Sequence, residues 1–449
     1  MAAIQHSYRY LAPSMLSGDE KPKLALSTSN SQAVPHPYFF EGRLKSPRLS
    51  ANLLITLYSI IGTRFFTAIN TLKSMGAFDP VVTSDGKNLR FEGFSLCCSA
   101  YVRVDLLPES YEGDVVGKGS TNVDFNMPMR SALARVSDKA GLSFAVGHDE
   151  FAVQSGAEKA IEKKVELPLR WIRGMLEVQS YQASMHKKIE VNGLEALRFI
   201  RSLPKSSTTR TPMWLVGGPF GLRVTTREET QGVRFVDSTR LRVLEPLLPM
   251  ALSLAVYADE LQQSSAWVLT FPGARMTLVL SAEIWRGFSG EGQALRALMR
   301  AGDASALAQV KANLHWQSSL RANALAAQLT LTKNVVEDAL HILGASGLVG
   351  FDVIDDAYFH RVLPFNLSLI EDMHPRLAGA RLLLEQGAVS ITRHTPLDAL
   401  VTSAGIEHRV REVDGELHCT CPWFASNQGD RGPCKHILAV EASTTIQGH

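Results

Sequence analysis

Three of the five cysteines in this 449-residue chain crowd together near its C-terminus. They read Cys419-Thr420-Cys421, then a stretch from Pro422 to Pro433, then Cys434-Lys435-His436. Thiolate sulfur and imidazole nitrogen are donors that zinc prefers, and three Cys with one His complete a tetrahedron. Each tight pair lets a short piece of backbone offer two donors to one ion, and the Pro422–Pro433 loop closes the ring. An iron–sulfur centre with one His ligand is conceivable, but a mononuclear Cys3His set suits zinc better. Five cysteines in a chain this long do not make a disulfide scaffold. Cys419, Cys421, Cys434 and His436 are therefore the predicted ligands of one Zn2+ ion.

Four protein donors leave no coordination position for water or substrate, so the predicted zinc is structural rather than catalytic. Cys421, as a metal thiolate, is not a free nucleophile. His418 and Asp430 lie beside the ligands and read as supporting or surface groups. The main rival donor is His418, which adjoins Cys419. His436 is preferred because it completes the CxH pair and because Ile437, Leu438 and Val440 can anchor a helix behind it.

This stretch resembles the SWIM zinc finger, whose signature is CxC, a variable gap, then CxH. Strand character over Glu407–Leu417 and helix character after His436 also fit that family. The resemblance covers about forty residues around CTCPWFASNQGDRGPCKHILAV. It implies binding of DNA or of other proteins. In some bacterial members it implies association with MoxR-type ATPase and von Willebrand A-domain systems.

Composition bounds the remainder. Apolar residues make up 45% and charged residues 20%, which excludes a wholly disordered chain. Lys plus Arg is 46 and Asp plus Glu is 44, a net charge of +2. A protein built mainly to coat a phosphate backbone is usually more basic. The surplus is local: Lys163 to Arg240 holds fourteen Lys or Arg against seven Asp or Glu. That region is the candidate nucleic-acid surface, set against an ordinary solvated face. The N-terminus lacks the basic start and apolar stretch of a secretory signal. The most apolar run, LLPMALSLAVYA from Leu247 to Ala258, is shorter than the roughly 20 residues that span a bilayer. The chain is expected to be cytoplasmic, with no membrane partner.

Along the chain, residues 1–50 read as a polar leader, and Leu53–Leu72 as the first core helix. Leu89–Leu107 reads as strand, with Cys97 and Cys98 inside it as buried free thiols on opposite faces. Asp79-Pro80 and Asp85-Gly86 are turns around Val81-Val82. Gly117–Asn126 lacks the glycine spacing of a phosphate loop and reads as a turn into a Val123–Phe125 strand. Asp124 and Asn126 can line a pocket there. WLVGGPFG, from Trp214, is a turn between strands, too irregular for a dinucleotide fingerprint. The run around Leu247–Leu261 reads as a buried helix. WRGFSGEG, from Trp285, is a glycine-rich loop or structural turn.

Residues 304–365 read as three helices and a hairpin. The helices are Ala304–Ser318, Leu320–Leu329 and Thr332–Leu343, and the hairpin turns at Asp355-Asp356. The order resembles a winged helix. Its recognition-type helix, TKNVVEDALHIL, carries Lys333 against Glu337 and Asp338, a poor set for reading bases or phosphates. Leu377–Leu384 supplies one more helix. The expected architecture is α+β and multidomain: a leader (1–50), an N-terminal α+β region (51–150), a mixed middle (151–300), a winged-helix-like domain (301–370), and a linker helix with the finger (371–449).

No HExxH, GxSxG elbow or phosphate loop appears. Asp124, Asp352 and Asp356 are acids of a kind every chain this long contains. The leading expectation is a non-enzymatic adaptor, with a protein partner such as an AAA+ ATPase or a vWA-domain protein. The alternative is a DNA- or RNA-binding protein that uses the finger and the basic middle.

Overall fold

A computed structural model describes residues 15–17, 23–26, 28–29, 38–63, 80–112, 117–123, 127–137, 142–147, 169–205, 211–218, 221–282, 287–288, 293–299, 304–363, 374–429 and 432–447. The first long helix is Pro47–Ile61. Proline at its first position has the right φ and no N–H to lose. Leu53, Leu54, Leu57, Ile60 and Ile61 recur at helical spacing and are fully buried. The helix stops at Gly62, and Thr63, just beyond, is the last described residue before residue 80, so any continuation to Leu72 lies outside the described residues.

That helix packs on a nine-stranded antiparallel sheet. Its spatial order is His186–Asn192, Ser253–Ala258, Ser264–Phe271, Ala274–Ser281, Ala100–Leu106, Leu89–Phe94, Val81–Ser84, Gly119–Val123 and Thr28–Ser29. Strands from the N-terminal region and the middle region meet where Ala274 pairs with Leu106 and Leu280 with Ala100. The helix lies so close to the sheet that a Cβ at Gly93 would sit 2.5 Å from Ile61 Cδ1. One continuous core of buried side chains runs from Phe39 to Leu363. At its centre Trp267 stacks on Phe199, with ring centroids 6.2 Å apart.

Residues 304–360 hold the helices Ala304–Ala312, Ala322–Leu329 and Lys333–Ala345, then a hairpin of Val349–Asp352 and Ala357–His360. Leu320 joins the hairpin through two backbone hydrogen bonds with Tyr358. All eight hairpin strand residues are buried.

The hairpin packs against helices Leu169–Gln182 and Lys333–Ala345 and, through a charged layer, faces the large sheet. Arg90 meets Asp85 at 2.5 Å and Asp105 at 3.1 Å. Arg103 meets Asp105 at 2.8 Å and Asp352 of the hairpin at 2.9 Å. Arg103 Nη1 also donates to the Phe351 carbonyl at 2.8 Å. Arg361 pairs with Glu92, which also accepts from the Tyr101 hydroxyl at 2.5 Å. At the rim Arg275 lies 3.5 Å from Asp352 and 3.2 Å from Asp355. The Phe359 ring has the Arg90 guanidinium 4.1 Å from its centroid and those of Arg103 and Arg361 within 6 Å. Four guanidiniums thus face four buried carboxylates, as buried charges require. Burial alone would raise Glu92. Arg361, the Tyr101 hydroxyl and Arg103 overcome it and hold the carboxyl below its ordinary value. Burial wins at Asp105, which is raised despite Arg103 and Arg90.

Three sequence expectations are corrected. The run around Leu247–Leu261 is not a helix: a short 3-10 turn at Leu248–Met250 leads into the strand Ser253–Ala258. A strand covered on both faces reads as a continuous apolar run, which periodicity cannot separate from a buried helix. Leu89–Leu107 is two strands rather than one. Cys97 and Cys98 are buried, but in the connecting turn, where Cys98 has φ +55°. The strand placed at Val123–Phe125 is Gly119–Val123, and Asp124 and Asn126 lie outside the described residues. In WRGFSGEG, Gly287 and Phe288 are described. Phe288 is buried, its N–H donates to the Cys98 carbonyl at 2.8 Å, and a Cβ at Gly287 would sit 2.5 Å from that carbonyl oxygen. This part of the segment is core structure.

The architecture is mixed α and β with several sheets. Among the described residues no helix is long and apolar enough to cross a membrane.

Candidate metal centre

The C-terminal unit starts with helix Pro375–Glu385 and continues as a four-stranded meander: Val389–His394, Leu397–Ser403, Ile406–Val413 and Glu416–Cys419. Asp414-Gly415, both at positive φ, makes the two-residue turn into the last strand. Alternation along the strands turns Ala399, Val401, Val410 and Cys419 inward, against helix Lys435–Gln447. The other face carries Arg409, Arg411 and His418 into solvent.

This geometry brings the four predicted ligands together. The last strand ends on Cys419. Cys421 caps the short helix Pro422–Asn427, its sulfur accepting from the Phe424 N–H at 3.4 Å. Cys434 sits one position ahead of the final helix and accepts from the Ile437 N–H at 3.5 Å. Both sulfurs thus face backbone N–H groups at helix starts, which favour negative charge. His436 lies in the first turn, with Nδ1 3.7 Å from Cys419 Sγ and 3.9 Å from Cys434 Sγ. The four donor atoms lie within 4.8 Å of one another, and all four residues are buried. Zinc bonds of about 2.3 Å to sulfur and 2.0–2.1 Å to nitrogen place tetrahedral S and N donors about 3.6 Å apart, so the cluster has the size of one zinc site.

Deprotonation of these sulfurs and capture of a metal ion go together. The Cys434 thiol is pushed up by its hydrogen bond with Cys419 and by burial, and burial raises Cys421. Three buried sulfurs at contact distance cannot ionise together without a metal to gather their charge. His436 is driven down to about 4 by burial and by His408 and Lys435, so it is neutral and able to ligate at pH 7. The cluster fits one structural Zn2+. Once bound, the ion would cross-link the end of the meander to the start of the final helix.

Surrounding groups brace this arrangement. Arg376 donates to the Pro433 carbonyl at 2.8 Å and lies 4.5 Å over the Trp423 ring, tying helix Pro375–Glu385 to both ends of the ligand loop. The His408 ring is 4.4 Å from that of His436. His418 is outside the cluster, exposed, its ring 5.5 Å from Phe424. Asp430 lies outside the described residues. Sequence reasoning missed Arg376, His408 and the whole charged layer under the hairpin. Only the three-dimensional fold brings Arg376 and His408 beside the ligands.

The SWIM zinc finger profile matches residues 409–444. The C-terminal unit is a SWIM-type zinc finger. The matched segment begins in the third strand of the meander and runs through both ligand pairs into the final helix. No curated protein matches the chain. Among solved structures, the crystal structure of Proliferating Cellular Nuclear Antigen from Entamoeba histolytica is similar at 9% identity and a TM-score of 0.37. The similarity covers 55% of this chain and 99% of that one. A likeness this slight carries no inference about function.

Proposed function

We propose that this protein is a non-enzymatic, zinc-stabilised adaptor whose SWIM finger and helical surfaces contact another protein. The observation that carries the reading is the closed Cys3His set: four protein donors fill the zinc's coordination, so the metal shapes a surface rather than activating a substrate. The segment at residues 304–360 adds to it. Its element order is that of a winged helix, and the Leu320–Tyr358 bridge supports that reading. A winged helix that uses its wing on DNA needs that hairpin exposed. Here the hairpin is buried and Asp352 and Asp355 are held by Arg103 and Arg275. A partner of the AAA+ ATPase or vWA-domain class remains a proposal that rests on resemblance. Affinity purification of the tagged protein from its native host tests it. Stoichiometric recovery of such a partner supports the adaptor, and recovery of nucleic acid alone overturns it.

A second reading, nucleic-acid binding, is favoured by the outer face of the finger's meander. There Arg393, Arg409 and Arg411 gather around Asp398, which Arg409 holds at 2.9 and 2.5 Å, with Glu407 and Glu416 exposed on the same face. The basic middle is the other candidate surface. Mobility shifts across a salt series separate the readings, because counterion release makes phosphate binding fall steeply with salt. No shift at low salt with single- or double-stranded DNA or RNA removes this reading.

A further inference from the structure

The seven-residue helix Gln293–Met299 belongs to two cores at once. Leu295 and Met299, four residues apart and so on one face, are buried in the finger's core with Leu377, Ile437 and Val440. Ala294 and Ala297, on the opposite side, pack with Ala345 at the end of helix Lys333–Ala345. Leu298 touches both cores. Polar contacts repeat the pattern. Arg296 Nε is 3.1 Å from Glu441 on the helix that carries His436, and Arg381 Nη2 donates to the Leu298 carbonyl at 3.3 Å. The helix also packs against helix Leu169–Gln182 of the body.

We propose that helix Gln293–Met299 is a relay through which metal occupancy of the finger sets the packing of the body's helices. A helix of seven residues is too short to persist alone, so its order comes from what it packs against. One side of that support is Ile437 and Val440, in the two turns of helix that begin at the ligand His436. Losing the metal frees the start of their helix, withdraws the cover from Leu295 and Met299, and leaves the short helix held from the body side only. Helices Leu169–Gln182 and Lys333–Ala345 then lose the neighbour that covers their ends. Coupling of this kind is reciprocal in affinity, so loosening the relay weakens zinc binding.

Two measurements on the full-length protein test the relay. In hydrogen–deuterium exchange, zinc-loaded protein is compared with the His436→Ala variant, after elemental analysis has established that the variant lacks zinc. Amides of residues 293–299 should exchange about tenfold faster in the variant, while the central strand Ser264–Phe271 stays protected. Unchanged exchange at 293–299 overturns the relay, whether or not residues 435–447 lose protection. In the second measurement, zinc transfer to a coloured chelator is timed. Leu295→Ala should release zinc several-fold faster than wild type. Leu325→Ala, the same truncation on a body helix outside the finger's core, should release it at the wild-type rate. Equal release by Leu295→Ala and wild type, or equally fast release by both variants, overturns the proposal.

Discussion

The body and the finger solve the same problem with different means. The body, from Phe39 to Leu363, buries a continuous apolar core on both faces of a nine-stranded sheet and then closes one face with paired charges. Among the described residues, the finger's core holds seventeen buried ones. Three of those are the cysteines, and two more, Leu295 and Met299, are lent by the body's relay helix. A unit of this size has a small apolar core, and a bound structural metal would add to its stability. The contrast teaches where each region is vulnerable: the finger at single donor atoms, the body at groups left without their ionic partner.

The largest expected effect is in the finger. Cys434→Ala should lose the zinc, because thiolate ligands are not pre-arranged in an unfolded segment and binding and folding are one event. Structural zinc in finger peptides is worth about 10–16 kcal/mol of apparent binding free energy at pH 7. Elemental analysis after gel filtration should read one zinc per chain in wild type and near zero in the variant. Calorimetry should show the finger's transition gone and the body's main transition kept. Equal zinc content in both proteins would break the comparison.

Next comes the charged layer. Arg361→Met strands Glu92, a fully buried carboxylate, and should destabilise the body by about 3–5 kcal/mol in urea titrations. Adding Glu92→Gln to Arg361→Met should recover part of that loss, since no charge then lacks a partner. A double variant as unstable as the sum of the single ones would mean that the pair is not coupled.

A smaller effect is expected from pH. Glu92 has its carboxyl lowered in the fold, so its contribution is complete above the ordinary value of 4.5 and is lost as pH falls through the lowered one. Asp352 is also lowered and acts in the same sense, whereas the raised Asp105 acts oppositely. Wild-type stability should decline below pH 4.5, and the Glu92→Gln variant should show a shallower decline. Parallel pH profiles would remove Glu92 from this account.

The smallest effect is a null one. His418→Ala should leave zinc content at one per chain, since that ring lies outside the cluster. Loss of zinc there, with retention in His436→Ala, would reassign the fourth ligand.

The finger was legible because coordination fixes residue types at fixed spacing, and because the apolar residues after His436 agree with it locally; the Asp414-Gly415 turn, which splits the stretch Glu407–Leu417 into two strands, was not read. The body was legible only in part. LRFEGF and AYVRVDL alternate like strands with one wet face, yet Arg90, Glu92, Arg103 and Asp105 on that face are buried under a hairpin some 250 residues later in the chain. Alternation tells which residues share a face, not what will cover it. Conversely, SLAVYA shows no alternation because both of its faces are covered, and so it passes for helix. The order of elements in residues 304–360 was readable because short amphipathic helices separated by turn residues carry their own period.

The reach of the Arg361–Glu92 pair, 269 residues apart in sequence, also dictates an order of events during synthesis. When Leu89–Phe94 and Ala100–Leu106 leave the ribosome, the side that will hold Phe359 has nothing to cover it, and its guanidiniums and carboxylates must stay hydrated. The sheet can form as a one-sided layer with water on its charged side, but it cannot dry that side until Arg361 has been made. Contacts this distant in sequence form slowly, so the drying of that side is a late step. The charges that later become the body's least accessible groups serve in the meantime as a soluble surface, which keeps the unfinished sheet from sticking to its neighbours.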